Sequence, residues 1–184
     1  MEKYQNAASG LKLLFVAQVG AIVCQILSMI PIIGFIAAVG SIVFLVLNMV
    51  GMFRAGKDIA GCQKAFILSV VSLVLSILSI IPIVGAVFSL AGYVVSFLIV
   101  YLVCTSVGEV MTELGGADIA STGGLVWKIN LICYIALIVI SVLSLIPFIS
   151  NLANLLSIVV AIVSLVALVL YMIFIYKSSQ KLAA

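Results

Sequence analysis

Apolar residues run through this chain in three long blocks, 13–53, 65–108 and 129–176, and no block contains a charged side chain. The blocks are 41, 44 and 48 residues long. A membrane-crossing helix takes ~20 apolar residues, so each block holds two. The pattern predicts six helices, at about 11–30, 32–53, 64–81, 83–107, 127–146 and 148–176. Each block has one proline (Pro31, Pro82 or Pro147), and the chain has no others. The 18, 17 and 18 uncharged residues before them make roughly 26 Å of helix, close to the ~30 Å hydrocarbon layer. The prolines are therefore expected at the far membrane face, each opening the first turn of a returning helix. Gly34 and Gly85, three residues on, suit a tight turn, and Ser150 takes that place in the third block.

Aligned on the prolines, the blocks read Ser28-Met29-Ile30-Pro31, Ser79-Ile80-Ile81-Pro82 and Ser144-Leu145-Ile146-Pro147. The serine, the apolar pair and the proline recur at offsets of 51 and 65 residues. Such self-similarity marks a repeated unit. The expected fold is all-α: a polytopic membrane protein of six helices in three repeated hairpins with pseudo-threefold symmetry. The whole chain, 1–184, reads as one membrane domain. The repeats cover 11–53, 64–107 and 127–176, joined by cytoplasmic loops 54–63 and 108–126.

Composition agrees. Apolar residues make up 67% of the 184 and charged residues 7%, against about 45–50% and 25% in soluble domains. An ordinary soluble enzyme, a disordered chain and a nucleic-acid binder are excluded. All eight Lys/Arg fall before, between or after the blocks. The positive-inside rule then puts both termini in the cytoplasm. Trp127-Lys128 and Tyr176-Lys177 suit interfacial anchoring on that side. The first helix is longer than a signal-peptide core and is read as retained. A bacterial inner membrane fits best, with the lipid bilayer as the first partner.

In loop 108–126, Val107, Val110, Met111 and Leu114 extend the fourth helix as an amphipathic turn. Gly115-Gly116 stops it. Gly123-Gly124 reads as loop, and Ser121 or Thr122 as a cap for the fifth helix. Glu109 and Glu113 share a face and, with Asp118, are read as a solvated surface ahead of a cation site.

Reaction chemistry is sparse. With no histidine, the commonest base and metal ligand is missing. Cys24, Cys62, Cys104 and Cys133 form no CxxC pair and are expected as free thiols. There is no phosphate-binding loop. No cofactor and no metal are expected, and the protein is not expected to be an enzyme. No charge lies within a span, which counts against an ion-coupled carrier.

What remains is a set of polar stripes. The first helix carries Gln18, Gln25 and Ser28; the second Asn48; the third Ser72, Ser76 and Ser79. The fourth carries Ser89, Gly92 and Ser96; the fifth Ser141 and Ser144; the sixth Asn154 and Ser157. These are either seams where small residues let helices approach or the lining of a polar path. The seam reading comes first, because any tight bundle needs such residues. Gln18 and Gln25 are the strongest path candidates, since an amide in hydrocarbon needs a partner. The expected function is a non-enzymatic bundle with a structural role, self-associating or binding another membrane protein. A passive channel or facilitator for an ion or neutral solute is second, and a membrane-shaping hairpin protein third.

Overall fold

The structure is a computed structural model that describes residues 2–30, 34–79, 81, 85–143 and 150–183. Among these residues there are helices and turns and no strand. After a short 3-10 turn at Glu2–Tyr4 come α1 (Gln5–Ser28), α2 (Gly34–Ala55), α3 (Ala60–Leu78), α4 (Gly85–Glu113), α5 (Ala117–Leu143) and α6 (Ser150–Ala183). All six are long and apolar enough to cross a membrane. Pro31, Pro82, Pro147 and Ser144 lie outside the described residues.

The helices form a ring. Each packs on its neighbours in sequence, and α6 returns to α1. Contact across the ring is slight among the described residues. The α1–α2 seam is the most extensive and α2–α3 the least; α5–α6 is no larger than α4–α5.

The helices outrun the predicted spans at the charged end. The α1 helix starts at Gln5, not near 11, and α3 at Ala60, not 64. The α6 helix continues past 176 to Ala183. Within segment 108–126, α4 extends to Glu113 and stops at Gly115–Gly116 as expected, but 117–126, expected as loop, is the start of α5. Charge gaps locate the membrane boundary, whereas helix ends depend on what the backbone finds beyond it. Here the extensions bury Ala7, Cys62, Met111, Val126, Ser178 and Leu182 in or beside one core. Polar residues such as Lys12, Glu109, Asp118 and Lys181 point outward.

Local chemistry fixes these ends. The Asp58 carboxylate, in the α2–α3 turn, accepts hydrogen bonds from the Ala7 backbone N–H at 2.7 Å and the Asn6 side-chain amide at 3.1 Å. It thereby caps α1 from a distance, satisfying a first-turn donor that has no partner within the helix. The α4 helix ends in a Schellman motif: Gly115, at φ 72°, donates to Thr112 O at 3.1 Å and Gly116 to Met111 O at 2.7 Å.

Gly123 and Gly124, read from sequence as loop glycines, lie within α5. A Cβ on Gly123 would lie 2.7 Å from the Phe174 ring and 3.2 Å from the Cys104 carbonyl. The glycine therefore permits close approach of α4, α5 and α6. Ser121 and Thr122 do not cap α5; both donate to the Asp118 carbonyl within it, at 2.8 and 3.0 Å. Gly10 and Gly51 do the same for α1 and α2: a Cβ on Gly10 would come within 2.5 Å of Ala55 N and 2.6 Å of Gly51 O.

The main core sits at the charged end. Leu11, Leu14, Val103, Val107, Phe174 and Ile175 are fully buried there. Toward the other end, among the described residues, a small cluster of Cys133, Ile140 and Val160 is buried, with Cys24 and Ala37 buried outside it.

Candidate functional site

Between the main core and the proline end, the ring lines a partly open cavity of about 460 Å³. Every helix contributes to its wall. From α1 come Ala17, Gln18 and Ala21; from α2, Ser41, Phe44, Leu45 and Asn48. The α3 wall is Ser69, Ser72, Leu73 and Ser76, and α4 adds Ser96, Ile99 and Val100. Tyr134 of α5 and Tyr171 of α6 complete it. No charged residue lines it. Met52 and Tyr171 belong to both the lining and the apolar core, so the core forms the cavity floor at the charged end.

Two recesses join it. One, of about 230 Å³ between α3 and α4, shares Ser72, Ser76 and Ser96 and adds Ser79, Ser89 and Gly92. The other, of about 360 Å³, shares Gln18, Tyr134 and Tyr171 and adds Asn130, Cys133 and Ser164.

The hydroxyls divide their bonding capacity in a regular way. Ser41, Ser69 and Ser76 donate to the carbonyls of Ala37, Ala65 and Ser72, all at 2.9 Å. Such bonds to the preceding turn use the hydroxyl proton and leave oxygen lone pairs facing outward from the helix. The Tyr134 hydroxyl has the Ser96 side chain as its hydrogen-bonding neighbour across α4 and α5. Gln18 and Asn48 have no hydrogen-bond partner among the described residues. Together they offer both amide donors and carbonyl acceptors. The cavity is thus rich in acceptors, and the Gln18 and Asn48 amides add free donors beside the Ser72 and Tyr171 hydroxyls.

The polar stripes therefore converge, though not all of them. Gln18, Asn48, Ser72, Ser76 and Ser96 reach the main cavity, and Ser79, Ser89 and Gly92 the α3–α4 recess. Gln25, paired with Gln18 in the sequence reading, is exposed and lines neither. It lies two turns from Gln18, roughly 10 Å further along the helix. Ser28 is exposed and donates to Gln25 O at 2.7 Å. Ser79, at the corresponding place in α3, donates to Ser76 O at 2.7 Å. Ser141 donates to Leu137 O at 2.8 Å; Ser157 is half-buried in α6. The side chain of Asn154 lies outside the described residues.

Gly92 is not in a tight contact: a Cβ added there would meet nothing within 4 Å. The close helix approaches are made instead by Gly10, Gly51, Gly61 and Gly123 toward the charged end, and by Gly20 and Gly40, against Phe44 and Cys24, further along α1 and α2.

Tyr171 and Asn130 were not singled out from the sequence. Their signal was the same spacing carried one step further, since Ser164 and Tyr171 are seven apart and Asn130 and Tyr134 four. The four cysteines are free and buried. Among the described residues no three His, Cys, Asp or Glu side chains are grouped to hold a metal.

Fold and cavity together define a class: an all-α bundle of six helices able to cross a membrane, ringed around an uncharged cavity whose wall mixes polar and apolar side chains. No protein-family model matches the chain, and no curated protein or solved structure matches it.

Proposed function

We propose that this is a non-catalytic integral membrane protein whose cavity binds an uncharged, hydrogen-bonding molecule and gives it a passive way across the membrane. One observation carries the reading: polar side chains from all six helices meet in one recess without a single charge. An unpartnered amide in apolar surroundings costs ~1–3 kcal/mol. A hydroxylated or carbonyl-bearing molecule between Gln18 and Asn48 recovers that cost. An ion would leave a full charge uncompensated, which is far more expensive.

The apolar core at the charged end acts as the closed gate, a constriction of the kind that opens by wetting. This reading goes ahead of a structural or partner-binding role. Glycines bring the helices together, Gly10, Gly20, Gly40 and Gly51 between α1 and α2 and Gly123 on α5, whereas Gly92, on the serine stripe of α4, faces open space. We further read the charged end as cytoplasmic in a bacterial inner membrane, because all eight Lys/Arg are there. The repeat reading draws support, for the first two of its three units, from the matching bonds of Ser28 and Ser79 at the ends of α1 and α3.

The test is reconstitution into phosphatidylcholine vesicles. Two uncharged probes are followed: glycerol entering from water, and a fluorescent glucosyl lipid crossing between leaflets. At least one should move faster than in empty vesicles. Gln18→Leu and Asn48→Leu should slow it about tenfold, the equivalent of ~1.4 kcal/mol, with helicity unchanged. A well-folded protein that accelerates neither probe would refute the reading.

A further inference from the structure

We infer that the cavity opens sideways into the bilayer between α2 and α3, and that its ligand is a lipid with an uncharged, hydroxyl-rich head. The inference rests on the cavity reading above and adds its route and ligand class.

Of the six seams in the ring, α2–α3 is the least closely joined. The two helices meet near the charged end. There the Phe53 and Phe66 rings lie 5.5 Å apart, and the Ser69 hydroxyl reaches Met52 Sδ at 3.1 Å. Further along, Leu45 on α2 and Leu73 on α3 line the cavity, yet they are 43% and 37% exposed. A side chain that reaches both an internal cavity and the outer surface marks an opening. Leu45 is ten residues from the charged end of α2, roughly 15 Å of helix. At that depth in a ~30 Å hydrocarbon layer, the opening faces acyl chains and not water.

The chemistry on either side of the opening differs. Its rim, Leu45 and Leu73, suits an acyl chain. Its interior offers the Gln18 and Asn48 amides, serine lone pairs and two tyrosines, which suit a head with several hydroxyls. With no Lys or Arg in the wall, a phosphate head would lose its hydration and gain no counter-charge. The α3–α4 recess continues this polar surface toward the proline end through Ser79 and Ser89. A head could follow these hydroxyls while its chains stay in the bilayer. The volume of about 460 Å³ lies within the ~300–1,000 Å³ range of small-molecule sites.

The experiment uses the full chain in phosphatidylcholine vesicles containing a glucosyl diacylglycerol with a photoactivatable group in one acyl chain. After irradiation, mass spectrometry maps the labelled residues. Labelling should concentrate on 41–49 and 69–76 and be competed by unlabelled glucosyl lipid but not by added phosphatidylcholine. Leu45→Trp with Leu73→Trp, which narrows the opening, should cut this labelling about tenfold and leave the helix content unchanged. Asn48→Leu should weaken competition while sparing the opening. Even labelling over the lipid-facing sides of all six helices, or competition by any lipid, would overturn the inference. Glycerol flux together with even labelling would reject the lateral route and leave the cavity reading standing; loss of both flux and focused labelling would reject the two together.

Discussion

Replacing Gly10 and Gly92 separately by alanine isolates what close helix contact contributes to this bundle. A Cβ on Gly10 would stand 2.5 Å from Ala55 N and 2.6 Å from Gly51 O, both backbone atoms that cannot swing aside. Ordinary contact needs ~3.5 Å, so α1 and α2 must part by about 1 Å where Gly10 faces Gly51 and Ala55. Overfilling a packed interior in this way typically costs ~1–3 kcal/mol. On Gly92 the same methyl meets nothing within 4 Å. Both substitutions gain the same helix propensity, up to ~1 kcal/mol, and that term cancels when the variants are compared. Gly10→Ala should therefore be less stable than Gly92→Ala by ~1–3 kcal/mol. Denaturant unfolding in mild detergent, followed by circular dichroism, measures the difference. Equal stability, or a more stable Gly10→Ala, would show that the α1–α2 seam is not as close as described.

Asp58→Ala removes both bonds that cap α1 from the α2–α3 turn, and should cost ~0.5–2 kcal/mol by the same unfolding assay, with Asp58→Asn recovering part of the loss. Gly115→Ala puts a side chain at φ 72°; it should destabilise by ~1–2 kcal/mol, whereas Gly124→Ala, with open space around it, should not. Single cysteines at Ile33, Val84 and Ile149 should react with a membrane-impermeant maleimide only from outside intact cells, the native thiols being buried; reaction only from the cytoplasmic side would reverse the proposed orientation.

The number and nature of the helices were legible from charge spacing alone, because a charge inside hydrocarbon is costly enough to leave a clean gap. The helix ends were not. Gln5–Gly10 and Ala117–Val126 look like water-exposed connections, with their small and polar residues. They are helical because Asp58 caps one, and because Gly123 lets the other settle against Phe174. Both partners are distant in sequence, and no local pattern announces them. The site was half legible. Spacing found Gln18, Asn48 and the α3 and α4 serines, since a polar face must repeat at helical intervals. Composition could not separate a seam from a wall: serine and glycine suit both, and only the space around Gly92 distinguishes them. Gln25 shows the opposite limit, a residue on the right stripe but beyond the level where the ring encloses anything.

The return of α6 to α1 bears on how the protein is made. A chain inserted in order from its N-terminus delivers α1 first and α6 last. Until α6 docks, the wall is missing Tyr171, and the amide of Gln18 borders an unfinished ring. Polar groups finally sheltered inside must then spend the whole of synthesis beside lipid or insertion machinery. The helix that closes the ring is also the most apolar of the six. It needs little help to enter the bilayer, and its arrival closes the ring.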